Sequence, residues 1–282
     1  MVFNKPLVNP SLRVIYPAAL DNQKIVEFTP TNDTAYLYMK NMDFDSLRVS
    51  IIQNSKPVDS ISLMKGRKES FQKNFTFSYN VNSSRKLNPF RDLVITTSTP
   101  IDSFDPSMIT LQEDSAVLSN YTITRDTTNT RKFILKYRWK EDSKYLLTID
   151  AAAFSNIYGD KNKKAGEPFT IDRTDNYSNL TLKVTVPDTS KAYIAQIFLD
   201  ERNILRSDPI TKSTALVYKN FYTGKYYFRV IYDSNRNGKW DTGNVRKKIY
   251  PENIWLDPVP ITLRPNWEAE ESLTIPRENG FQ

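Results

Sequence analysis

Residues 221–255, FYTGKYYFRVIYDSNRNGKWDTGNVRKKIYPENIW, hold the pattern that decides the fold class. From Tyr226 to Tyr232 the chain is a run of aromatic and β-branched residues broken only by Arg229, the composition of a strand on a half-buried sheet. A polar loop follows, in which Asp233, Asn235 and Asn237 alternate with other residues ahead of Gly238, and Asp241 comes three residues later. That spacing suits two kinds of chemistry. The oxygens can wrap a hard cation while the glycine makes the sharp turn, or they can accept hydrogen bonds from their own backbone in Asx turns.

Composition carries the β reading to the whole chain. Hydrophobic residues make up 39% and charged residues 25% of the 282 residues, which argues for a globular chain and against wholesale disorder. Tyrosine (16) and phenylalanine (15) are abundant, and proline (16) outnumbers glycine (7), as expected for short strands with proline-marked connections. Histidine and cysteine are both absent. This excludes Ser-His-Asp and Cys-His nucleophiles, thiolate redox chemistry, disulfides and the usual zinc sites. Only carboxylate-pair or Ser-Lys mechanisms remain, and neither has a visible constellation, so the chain reads as non-enzymatic.

The net charge of +7 is spread along the chain, with small groups at Lys65-Gly66-Arg67-Lys68, Lys161-Asn162-Lys163-Lys164 and Arg246-Lys247-Lys248. A nucleic-acid binder concentrates its cations, so no nucleic-acid partner is expected. No run approaches the roughly 20 apolar residues of a membrane helix. The first ten residues lack the apolar core of a signal peptide, leaving either a cytosolic chain or an exported one read without its leader.

Taken in order, the chain predicts three β domains. Residues 1–84 carry meander-like strands at Ile25–Phe28, Thr34–Met39, Leu47–Ile52 and Ser60–Leu63, followed by Phe71, Phe75, Phe77 and Tyr79. Residues 85–172 carry about seven short strands, the signature of an antiparallel sandwich. Residues 173–282 open on Leu180–Val186, include the stretch quoted above, and close at Pro260–Leu263 before an acidic segment. The fold class is therefore all-β, built of tandem antiparallel Ig-like β-sandwiches.

Three segments, LVITTSTPIDSFDPSMITL (93–111), KYLLTIDAAAFSNIYGDKNK (144–163) and EPFTI (167–171), resemble a bacterial Ig-like domain. In that family an early strand ends in a Ser/Thr-Pro pair, and a late Tyr-x-Leu-x-Ile strand leads into an Ala-Phe-x-Asp-x-Tyr-Gly turn. Asn156 stands here where the acidic residue is usual. Phe221–Tyr227 resembles the strand entry of transthyretin-like or carboxypeptidase-regulatory sandwiches. The order of modules, ending in PNWEAEE (265–271), is similar to the C-terminal half of Ig-like-domain lipoproteins of Bacteroidota-type outer membranes. That resemblance implies a cell-envelope location, an upstream lipidated cysteine as anchor, and other envelope proteins as partners.

Two sites follow. Asp233, Asn235, Asn237 and Asp241 are candidate calcium ligands, but Asn244 replaces the bidentate Glu of an EF-hand loop, and Arg236 and Lys239 lie between them. A structural Asx turn is the preferred reading, with calcium as the one candidate cofactor. Trp240, Trp255 and Trp267 are a candidate glycan platform, set against a core or interface role. Glu268, Glu270 and Glu271 read as a solvated tail rather than as catalytic carboxylates. The expected function is a structural spacer and protein-interaction module of the envelope, with glycan binding as the alternative.

Overall fold

The computed structural model describes residues 1–64, 75–200, 203–245 and 248–278. Phe71, the Lys65–Lys68 basic group and Arg246-Lys247 lie outside the described residues. Strand accounts for 53% of the chain and helix for 5%, so the class is all-β. The helix is 3-10 throughout the described residues, in short pieces such as Ala18–Gln23 and Pro106–Met108. The chain divides into two compact units, Met1–Ile171 and Asp172–Gln282.

The first unit holds two hydrophobic clusters. One lies under the antiparallel sheet Pro10–Tyr16, Ser46–Gln53, Lys56–Met64 and the hairpin Lys24–Phe28/Ala35–Met39. Leu12, Val14, Met39, Leu47 and Val49 are buried there. The other fills a two-sheet β-sandwich. One sheet centres on Ile109–Glu113, Lys144–Ile149 and Ala165–Ile171; the other runs Thr122–Arg125, Lys132–Lys136, Leu93–Thr97, Phe77–Tyr79. Along Leu93–Thr97 and Lys144–Ile149 buried and less buried residues alternate, the two-residue period of a sheet with one face in a core. Phe77–Tyr79 pairs with Leu93–Thr97 rather than with the sheet that precedes it. Phe77 packs edge-on to Phe154, so the aromatic alternation after residue 74 serves the sandwich core.

Between these two clusters, Arg131 joins the hairpin to the sandwich. Its Nε donates to Glu27 at 2.7 Å, its Nη1 donates to the Thr97 carbonyl at 3.2 Å, and its guanidinium lies over the Tyr38 ring. Both members of the ion pair are largely buried, so removing one strands the other's charge. Arg131→Ala is expected to lower the urea midpoint of the first unit by an amount equivalent to about 3 kcal/mol. Arg131→Lys should not restore it, because an ammonium cannot reproduce the planar fork. Full stability in the lysine variant would show that only charge matters.

The second unit is a sandwich of two sheets. Tyr177–Thr185 lies between Thr214–Tyr222 and Glu268–Thr274; facing it is the sheet Ile204–Ile210, Tyr193–Phe198, Gly224–Tyr232, Ile254–Leu256. Leu180, Leu182 and Val184 point into the shared core, against Ala195, Ile197, Phe228 and Val230. The acidic segment is a correction to the sequence reading. Glu268–Thr274 is a strand, paired in parallel with Tyr177–Thr185. Ala269 is buried, while Glu268 accepts from Asn179 at 2.6 Å and Glu270 pairs with Lys183. Charges on an outer strand discourage pairing with another chain.

The second unit opens on a hydrogen-bonded turn. The last strand of the first unit ends at Ile171, and a 3-10 turn begins at Thr174. Asp172, buried between them, accepts from the Arg173 backbone N–H at 3.0 Å and from Asn176 Nδ2 at 2.8 Å, and its other oxygen accepts from the Tyr177 hydroxyl at 3.3 Å.

Candidate functional site

The strand Gly224–Tyr232 delivers Asp233 to the start of the polar loop, where the chain leaves the sheet. Asp233 is 3% exposed. Its Oδ1 accepts from the Asn237 backbone N–H at 3.0 Å and its Oδ2 from the Gly238 N–H at 2.8 Å. Gly238 adopts φ 71°, in the left-handed region that a glycine enters without steric cost. Asn235 Oδ1 accepts from the Asn237 N–H at 3.0 Å, and Asn237 Oδ1 from the Lys239 N–H at 2.8 Å. These are successive Asx turns, the geometry the alternating pattern specifies. The amide groups of Asn235 and Asn237 both donate to Asp241 Oδ2.

Glu252 completes the loop, and sequence reading missed it because it lies well beyond the repeat. Its Oε1 accepts from the backbone N–H and hydroxyl of Ser234 at 2.9 and 3.1 Å, and its Oε2 from the Asp241 N–H at 3.1 Å. The Glu252 N–H donates back to the Asp241 carbonyl at 3.0 Å, and Trp240 Nε1 donates to the Glu252 carbonyl at 3.0 Å. A carboxylate followed by Asn-Ile-Trp at a strand entry was the one available signal. Asn244, expected at the place of a bidentate Glu, forms a backbone bridge to Ile249 instead. Among the described residues, no group of three or more Asp or Glu side chains converges to hold a metal ion. The loop's oxygens serve its own N–H groups.

The tryptophans occupy different environments. Trp255 pairs across the sheet with Val230 and packs against the core with its ring edge-on to Phe228. Trp240 and Trp267 are 45% and 44% exposed, and the Arg264 guanidinium lies over the Trp267 ring. Trp139, in the first unit, packs against Tyr145 and Phe169. Beside the loop is an open groove of about 220 Å³, lined by Lys191, Tyr232, Asp233, Ser234, Arg236 and Glu278. Its charges are mutually engaged. Lys191 Nζ meets Glu278 at 3.0 Å, which raises the lysine's pKa, and Arg236 donates to the Ser190 carbonyl.

No protein-family model matches the chain, and no curated protein matches it. Solved structures align with it at low identity. The BcpA* (D312A) major pilin subunit of Bacillus cereus is 8% identical over 96% of this chain and 95% of the pilin, with a TM-score of 0.23. SGBP-B of the Bacteroides ovatus mixed-linkage glucan utilization locus, in complex with a mixed-linkage heptasaccharide, is 7% identical over 96% and 67%, with a TM-score of 0.22. The T6 backbone pilin of serotype M6 Streptococcus pyogenes is 8% identical over 85% and 65%, with a TM-score of 0.23. Likeness at this level leaves the function to be argued from the residues.

Proposed function

We propose that the chain is a non-enzymatic cell-envelope protein whose β domains act as a spacer and a protein-interaction surface. The observation that carries this reading is the build of the chain itself. Two compact units with their own buried cores follow one another along the chain, and neither brings together a recognisable catalytic set among the described residues. In this reading the cluster around Leu12, Val49 and Met39 is a module of its own within Met1–Ile171. The outer-membrane placement and an upstream lipid anchor come from the resemblance to Bacteroidota-type lipoproteins. Fractionation of cells expressing the full-length native protein tests the placement. Recovery with outer membranes, and cross-linking there to another envelope protein, is the expected result, and recovery in the cytosol overturns the reading.

Glycan binding is the second reading, favoured by the exposure of Trp240 and Trp267. Exposed indole faces stack on sugar rings, and Trp255, turned into the core, is not part of such a surface. Affinity electrophoresis in gels containing soluble polysaccharides separates the two readings. The spacer reading expects no retardation; retardation abolished by Trp240→Ala or Trp267→Ala establishes a glycan site.

A further inference from the structure

The sheet built on Tyr177–Thr185 ends in two very different strands. On one side is Glu268–Thr274, whose Glu268, Glu270 and Glu271 keep another chain away. On the other is Thr214–Tyr222, nine residues with no proline and no carboxylate. Its outer side has no strand partner among the described residues. The facing sheet is blunted at both margins. Ile204–Ile210 carries Pro209, and Ile254–Leu256 and Ile261–Leu263 at the far side are three residues each. Thr214–Tyr222 is also held ready for pairing. Val217 is in register with Thr181, and the Tyr218 hydroxyl donates to Asp208 on the facing sheet at 2.8 Å. Leu216 and Tyr218 pack on the core, while Ala215, Val217 and Lys219 stand in solvent, Val217 being 60% exposed.

We propose that two copies of this chain pair through Thr214–Tyr222, antiparallel, about a two-fold axis at Val217. A second copy is selected as the occupant because the strand complements itself. Asn220, at φ 59°, ends the regular stretch, so the five residues Ala215–Lys219 centre on Val217. About that axis Leu216 meets the partner's Tyr218 and Ala215 meets the partner's Lys219. Apolar side chains then meet on the core side, and no lysine faces a lysine. An axis at Lys219 would set two ammonium groups opposite each other, so this lysine acts against that register rather than against pairing. Because the opposite edge of the sheet is charged, pairing closes at a dimer and does not run on as a fibre. Contact one strand wide belongs to the small, transient class of interface, so association is expected at roughly 100 μM protein.

Sedimentation of the whole chain at concentrations up to roughly 1 mM is expected to show a monomer–dimer equilibrium. Val217→Lys puts like charges at the axis and should weaken association by roughly tenfold. The melting transition should stay within roughly 3 °C, since the side chain is exposed. Thr274→Lys, on the charged edge, makes the same change in net charge and should leave association unaltered. The absence of cysteine allows a test of the register as well. Directly opposed residues of an antiparallel pair have Cα atoms about 4.5–5.5 Å apart, within the span of a disulfide. Val217→Cys should therefore join to itself as a covalent dimer when oxidised glutathione takes up the two electrons, and Thr274→Cys should not. Four results overturn the proposal: a wild-type chain that stays monomeric, leaving this edge to a strand of another protein; growth beyond a dimer; equal association of wild type and Val217→Lys; or equal cross-linking of the two cysteine variants. Self-association of the purified chain does not depend on where in the cell the protein resides, so it fails or succeeds separately from the fractionation.

Discussion

Phe154→Ala is expected to lower the melting transition of the first unit by roughly 10 °C. Phe154 is fully buried, and its ring meets three others: Phe133 at 4.9 Å, Phe77 at 5.4 Å and Phe104 at 5.7 Å between centroids. Truncating such a side chain removes its transfer free energy and leaves a cavity, at a cost of about 3–5 kcal/mol. For a unit of this size each kcal/mol shifts the midpoint by roughly 2–4 °C. Phe154→Leu should recover most of the loss, because volume governs the core more than ring geometry does. The second unit, whose core shares no residue with this cluster, should melt as before. A loss below about 1 kcal/mol in the alanine variant would mean that the four rings are not packed as described.

Phe154 also shows what the sequence made legible. Its neighbours Ala151–Ala153 and the Tyr145–Ile149 alternation carried the resemblance to an Ig-like domain, and the chain forms a sandwich there. Period-two burial is a local property, so strands such as Leu93–Thr97 and Gly224–Tyr232 were readable directly. Partnership across the sheet is not local. Phe77–Tyr79 read as the end of the first stretch because nothing in a strand's sequence names the strand it pairs with. Glu268–Thr274 read as a solvated tail because five charge-bearing or hydroxyl side chains mask the inward Ala269. At the candidate site the Asx repeat was legible from spacing alone, whereas Glu252 was not, since only folding brings it back to Ser234 and Asp241.

Asp233→Ala is expected to destabilise the second unit by about 2–3 kcal/mol, in chelator as well as in calcium. The buried carboxylate accepts the N–H groups of Asn237 and Gly238, and hydrogen bonds to a charged acceptor are worth about 1.5–3 kcal/mol each. Part of that is regained, because water reaches the exposed loop once the side chain is gone. The remainder corresponds to a fall of roughly 10 °C for a unit of about 111 residues. Asp233→Asn, which offers one acceptor oxygen where the carboxylate offers two, should fall between wild type and the alanine variant. Calcium enters through a separate term. A cation bound only by the folded state adds RT ln(1 + [L]/Kd), about 1.4 kcal/mol at ten times Kd. Wild type is expected to shift little or not at all, because Asn235 and Asn237 bring no charge and Asn244 stands where an EF-hand loop has its bidentate Glu. A thermal scan of wild type and Asp233→Ala with calcium and with chelator therefore distinguishes two roles for the same carboxylate. Equal losses in both conditions identify it as the anchor of the Asx turns, and a loss confined to calcium would make Asp233, Asn235, Asn237 and Asp241 a metal site after all.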